Sequence, residues 1–86
     1  MREIRRWELI DPPRNRYRWY ELARPNECVV VRRWGRIGRR GRCKVDVCPS
    51  RVHADRLVRC LVRRRERHGY RPVHAFWEQL SLWPGV

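Results

Sequence analysis

The chain has 86 residues, with 22 Lys or Arg against nine Asp or Glu and a formal net charge of +13. A chain this short makes one small domain, burying only about 60% of the surface its unfolded form exposes, and leaves no room for a second, catalytic domain. So large a basic excess points to a polyanionic partner, DNA before RNA, with an anionic membrane surface the weaker choice.

Of the 22 cations, 21 are arginine. Arginine forks onto phosphate with parallel hydrogen bonds and stacks on flat rings, where lysine acts as a point charge. A genome rich in G and C would also enrich arginine, so not every one is read as a contact. No apolar run approaches the ~18 residues of a bilayer span, and Met1 to Arg6 has no apolar stretch behind its charges to make a signal peptide. No membrane role and a cytosolic location are therefore expected. In that reducing compartment disulfides are uncommon. Four residues separate Cys43 from Cys48, and Cys28 and Cys60 form no second close pair. On paper His53 and His68 could complete a zinc site, but neither a metal nor another cofactor is expected. Cys43 and Cys60 read as small buried apolar residues.

In chain order, residues 1–6 form a short charged lead-in with nothing to bury. Arg5 to Ile10 alternates, with Trp7 and Leu9 on one face and Arg6 and Glu8 on the other, as in a half-buried strand. Asp11-Pro12-Pro13-Arg14-Asn15 ends it, since two prolines cannot donate to a ladder. A second strand, Arg16 to Arg24, sets Tyr17 and Trp19 on one face and Tyr20 and Leu22 on the other. Either both faces are covered or one ring is presented to a ligand. Pro25-Asn26-Glu27 is a compact hairpin turn, and Cys28 with Val29-Val30-Val31 opens a third strand whose apolar triplet implies a place at the sheet centre.

Gly38-Arg39-Arg40-Gly41 is a second hairpin connection, its two glycines expected to supply positive backbone dihedrals. The strand from Arg42 to Cys48 then alternates, with Cys43, Val45 and Val47 inward and Lys44 and Asp46 outward. Ser50 is suited to cap a helix from Arg51. Ala54, Leu57, Val58 and Leu61 form its apolar stripe, Arg56, Arg59, Arg63 and Arg67 lie largely off it, and Gly69 suits its C-terminal end. The arginine run at 63–67 complements the partial negative charge there and is also available to nucleic acid. In the tail from His74 to Val86, Phe76, Trp77, Leu80 and Trp83 would line one side of a short helix. That side either folds back over the sheet or docks a second copy or a protein partner, which would make the chain an interaction module or an accessory subunit of a nucleic-acid-processing enzyme. Together these elements predict an α+β domain, a twisted antiparallel sheet of four to five strands with one long helix packed on it.

The chemistry concentrates in Trp34-Gly35-Arg36-Ile37-Gly38. Arg36 can fork onto a phosphate, Trp34 offers a flat face to a sugar or base, and Gly35 lets a ligand approach the main chain. The plainer reading is a tightly turning strand with a core Trp and a solvated Arg. Arg39, Arg40 and Arg42 add a basic finger beside it, although charges at a loop tip are often only solvated. No enzyme is expected. Ser50 has no glycine frame, the carboxylates are scattered, and the three histidines sit on or just after the helix without an evident site.

This pentapeptide resembles the signature of the WGR domain, found in DNA-damage-dependent poly(ADP-ribose) polymerases and in many bacterial proteins. The likeness extends to Arg16-Tyr17-Arg18-Trp19-Tyr20-Glu21-Leu22, similar to the family's aromatic strand. It also reaches Arg63 to Pro72, similar to the basic helix end and Gly-Tyr of the bacterial versions. It covers about Trp7 to Val73, which suggests one domain over 1–86 with a core at 7–73 and a tail at 74–86, of the stand-alone bacterial type. The resemblance implies the same sheet-and-helix fold and DNA binding, including at ends or breaks, with Trp34 lying against a sugar and Arg36 engaging the backbone. The candidate nucleic-acid contacts are thus Trp34, Gly35, Arg36, Arg39, Arg40, Arg42, Arg16 and Tyr70. The chain lacks the polymerases' catalytic domain and zinc modules, so binding, rather than relaying a signal, is what carries over.

Overall fold

The computed structural model describes residues 3–73. The tail with Phe76, Trp77, Leu80 and Trp83, and the docking or covering role expected of it, lie outside these. The elements are β1 (Glu3–Asp11), a 3-10 turn (Pro12–Arg14), β2 (Arg16–Asn26), β3 (Val29–Arg36), β4 (Arg42–Val47), α1 (Arg51–Arg67) and β5 (Arg71–Val73). The sheet has five strands in the order β4-β3-β2-β1-β5, with every neighbouring pair antiparallel. The expected architecture forms, with the short β5 completing the sheet beside β1. No helix among the described residues is long and apolar enough to cross a membrane.

Local chemistry explains the corners. After β1 the prolines turn the chain, and Asn15, at φ 53°, takes the left-handed conformation that asparagine tolerates. Between β2 and β3 the side-chain oxygen of Asn26 accepts from the N–H groups of Cys28 at 2.9 Å and Val29 at 3.1 Å. The turn therefore falls at Glu27 and Cys28, later than the expected Pro25-Asn26-Glu27. Ser50 caps α1 by accepting from the His53 N–H at 3.3 Å. Gly69, at φ 93°, ends it, and Tyr70 N–H then donates to the Arg65 carbonyl at 3.0 Å, which turns Tyr70 back into the core.

Cross-strand register sorts the side chains into two faces. One face carries the row Trp7, Tyr20, Trp34 and Arg42, flanked by Arg5, Leu22, Arg32 and Lys44 on one side and Leu9, Arg18 and Arg36 on the other. The helix covers this face. Its Ala54 and Leu61 join Trp7, Tyr20, Leu22, Val30 and Tyr70 in the core, with Leu57, Val58 and Val62 packed against them. Fully burying an aliphatic or Phe-sized side chain contributes about 1.5–3 kcal/mol, so this face holds the domain together. The opposite face carries Trp19, which is only 6% exposed. Both faces of β2 are therefore covered.

Four expectations are corrected. The first residues are not a lead-in with nothing to bury: β1 already begins at Glu3, and strand period sets Ile4, opposite Ala23, on the face of Trp19, where it is buried. Cys43, Val45 and Val47 do not face inward. Val45 and Val47 are 57% and 77% exposed, and Cys43 is exposed. Alternation fixes which residues share a face but not which face is covered, and the face shared with the helix carries Arg42, Lys44 and Asp46, where Asp46 meets Arg32 at 3.1 Å. Neither Cys43 nor Cys60 is a buried apolar filler, for both are exposed; Cys60 lies off the stripe that faces the sheet. Of the glycines framing the β3–β4 hairpin, only Gly38 has a positive φ, 86°. Gly41 is there for space. A Cβ on it would stand 1.9 Å from the Trp34 carbonyl oxygen and 2.7 Å from the Trp19 ring.

This distinction sets an order of sensitivity. Gly38→Ala has open space around it and costs about 1–2 kcal/mol for the left-handed backbone alone. Gly41→Ala must displace backbone and indole and costs about 3 kcal/mol. Urea denaturation of both variants tests this, and equal losses would contradict the close-packing role of Gly41. A second test concerns Tyr20, whose hydroxyl is buried. Burial pushes its phenol above the usual value, opposed by the charges of Arg65, Arg32 and Arg64. The unfolded chain therefore ionises first, and the contribution of the neutral phenol is lost as pH rises from about 10 through the raised value. Tyr20→Phe should flatten the fall in Tm as the pH rises above about 10, the ordinary phenol value.

Candidate functional site

The β3 signature lies where the row of aromatic residues meets the end of the helix. Arg18, Trp34, Gly35, Arg36, Arg65 and Tyr70 line a concavity of about 520 Å³. Strand period places Arg18 on the same face as Tyr20, and register sets it opposite Arg36. Trp34 is half-buried and packs against the core, so one part of its ring is anchored while another borders the concavity. Arg36 is exposed. Its guanidinium lies 5.5 Å from the Tyr17 ring and donates to Asn15 over long distances, 3.3 Å to the side-chain oxygen and 3.5 Å to the carbonyl.

Arg65 comes from the last turn of α1 and lies over two rings, 4.6 Å from the centre of Tyr20 and 5.5 Å from that of Tyr70. The rings themselves meet edge to face at 6.4 Å. This holds a guanidinium in place without a counter-charge. Its Nε is buried with no acceptor among the described residues.

The main chain of the signature is fixed from the other face of the sheet. Trp19 Nε1 donates to the Arg36 carbonyl at 2.9 Å, the same oxygen that accepts from Arg39 N–H at 3.0 Å. A Cβ on Gly35 would come within 2.8 Å of the Gly41 Cα and 3.4 Å of the Trp19 ring. Gly35 thus has an intramolecular reason to be glycine, in addition to lining the concavity. Arg6 and Arg33 lie over the Trp19 ring at 5.4 and 6.0 Å.

Charge is segregated. Glu8 and Glu21 engage Arg6 at 3.0 and 2.7 Å, Asp11 engages Arg14 at 3.5 Å, Asp46 engages Arg32 at 3.1 Å, and Asp55 engages Arg24 at 2.8 Å. The hydrogen bond from Arg24 holds the Asp55 carboxyl below its usual value, against a smaller opposing effect of burial. Among the described residues no carboxylate makes an ion pair with Arg18, Arg36 or Arg65. The acids hold the scaffold, while the concavity keeps its positive charge uncompensated.

Of the residues singled out from sequence, Trp34, Gly35, Arg36 and Tyr70 meet at this concavity. Arg42 sits beside it on β4, opposite Trp34. Arg39 and Arg40 are exposed on the hairpin loop, and Arg16 is exposed at the start of β2, opposite Asp11; none of these three lines the concavity. Sequence reasoning did not single out Arg18, named Arg65 only within the arginine run at 63–67, and missed the bracing role of Trp19. Signals for the first two existed: Arg18 shares the strand phase of Tyr20, and Arg65 continues the apolar stripe four residues after Leu61.

The family model of the WGR domain matches residues 4–76. An uncharacterized protein of Sinorhizobium fredii, y4dW, is 38% identical over 69 residues, a match that covers 76% of this chain and 34% of that protein. The crystal structure of a Bacteroides fragilis protein superposes with a TM-score of 0.74 at 17% identity, covering 83% of this chain and 19% of that one. That likeness is one of fold. This chain spans about a third of the first relative and a fifth of the second. With the signature, sheet order and helix all in place, the chain belongs to the WGR domain family, a family associated with nucleic-acid binding.

Proposed function

We propose that the chain is a non-enzymatic DNA-binding module, and that the signature concavity takes the sugar-phosphate backbone at a duplex end or break. The observation that carries this reading is the convergence of three guanidinium groups with no ion-pair partner, Arg18, Arg36 and Arg65, around the free part of the Trp34 ring. Phosphate supplies the anionic partner that these three groups lack. The ring of Trp34 offers a face to a terminal sugar or unstacked base, a contact available where the duplex stops. Arg42, Arg39 and Arg40 extend the positive surface along the hairpin, and Arg16 adds charge at the start of β2. Contacts of this kind position a duplex and carry no base sequence. Binding is therefore sequence-tolerant and strongly dependent on salt.

With about six phosphates neutralised, affinity should fall roughly a thousandfold between 50 and 200 mM salt. Arg36→Gln and Arg18→Gln, both at exposed positions, should each weaken binding about tenfold and reduce the salt slope by about one. Fluorescence anisotropy with a 5′-phosphorylated linear duplex, competed by a closed circle of the same sequence, measures both properties. The linear form should bind more tightly, and Trp34→Phe should keep more of that preference than Trp34→Ala. Equal competition by the circle, unaffected by either arginine change, would reduce the surface to a general polyanion binder. A shallow salt slope would remove the backbone reading altogether.

A further inference from the structure

Among the described residues, the outer edge of β4 has no neighbouring strand. One hydrogen bond identifies the main-chain groups it presents. Cys48 N–H donates to the Cys28 carbonyl at 2.7 Å, and the β3–β4 register runs unbroken from Val29↔Val47 to Trp34↔Arg42. Bonded and non-bonded pairs alternate along an antiparallel ladder. Asp46 and Lys44 therefore turn their main-chain groups to β3, as Cys48 does, while Cys43, Val45 and Val47 turn theirs to the free edge. These three residues also carry exposed apolar side chains on the face away from the helix.

We propose that this edge pairs with the same edge of a second copy, antiparallel about a two-fold axis at Val45, joining two sheets into one. In that register Val45 bonds to Val45, and Cys43 bonds to Val47 twice. Every outward main-chain group from Cys43 to Val47 finds a partner. On the helix side Lys44 of each copy faces Asp46 of the other, while the opposite side brings together only Val and Cys. A slip of one residue sets outward groups against inward ones. A slip of two sets Lys44 against Lys44 or Asp46 against Asp46, and like charges directly opposite destabilise a pair. The edge is thus self-complementary in hydrogen bonding and in charge at a single register. Asp46 has an oxygen to spare, since Arg32 holds Oδ2 at 3.1 Å and, among the described residues, only Lys44 of its own strand approaches Oδ1, at 4.0 Å.

The association is weak and reversible. A strand of six residues buries less than the ~1,000 Å² of a stable interface, and two chains of +13 repel each other. The test is sedimentation equilibrium of the full chain at about 300 mM salt, where repulsion is largely screened, together with amide exchange followed by NMR. Dimer should accumulate with concentration. The amides of Cys43, Val45 and Val47 should gain protection with it, while those of Lys44 and Asp46 are protected throughout. Val45→Pro removes an amide that points to solvent in the single chain, a position where an edge strand accepts proline, and should abolish the dimer. Lys44→Glu should raise its dissociation constant at least tenfold. If Val45→Pro proves unfolded by circular dichroism, Lys44→Glu decides. A wild type still monomeric at about 1 mM, or a dimer unchanged by Lys44→Glu and without the alternating protection, would overturn the proposal.

Discussion

The indole of Trp19 occupies the space where side chains on residues 35 and 41 would otherwise stand. Two strands of the hairpin can approach this closely only because both positions are glycine, and the ring edge then lies against them. From that place Trp19 donates to the Arg36 carbonyl, which fixes the main chain where the Trp34 and Arg36 side chains leave it. The signature is therefore built from two faces of one sheet. The face away from the helix holds the backbone still, and the face toward the helix displays the candidate contact groups. Because strand period forces Trp19 and Tyr20 to opposite sides, one short aromatic segment supplies both the brace and the floor.

Electrostatic economy supports the same division. A chain of net charge +13 has few acids to distribute, and five of them hold arginines in the frame. Exposed ion pairs contribute little stability each, about 0–1 kcal/mol. Their larger effect is on where uncompensated charge remains. With Arg6, Arg14, Arg24 and Arg32 occupied, the concavity bounded by Arg18, Arg36 and Arg65 keeps an unneutralised field. The aromatic faces of Tyr20 and Tyr70 hold Arg65 there without cancelling its charge.

Much of this was legible in the sequence, and the failures have physical causes. The Pro12-Pro13 pair, the Ser50 cap, Gly69 and the apolar stripe of α1 are local signals, and each marks its element. The family signature adds the topology. What local pattern could not supply was which face of β4 the helix covers. Alternation is symmetric, and the choice was made by Trp34 and Val30 on the neighbouring strand through register. The exposed valines of β4 are the result. Gly41 was misread for a related reason: glycine signals either unusual dihedrals or lack of room, and only the position of Trp19 separates the two. Arg65 was hidden inside a run of arginines, where its membership of the apolar stripe was outweighed by its charge.

The buried Nε of Arg65, left without an acceptor among the described residues, has a thermodynamic consequence. An unmet donor in the interior costs about 1–3 kcal/mol, and crowding three like charges around one hollow adds to the strain of the unbound state. An anion seated there acts as a missing structural part, and by mass action it raises the folding equilibrium by the free energy of its own binding. On the proposed function, the stability of such a domain would become a property of its surroundings: firmest where polyanion is abundant, and loosest, and most open to turnover, where there is none.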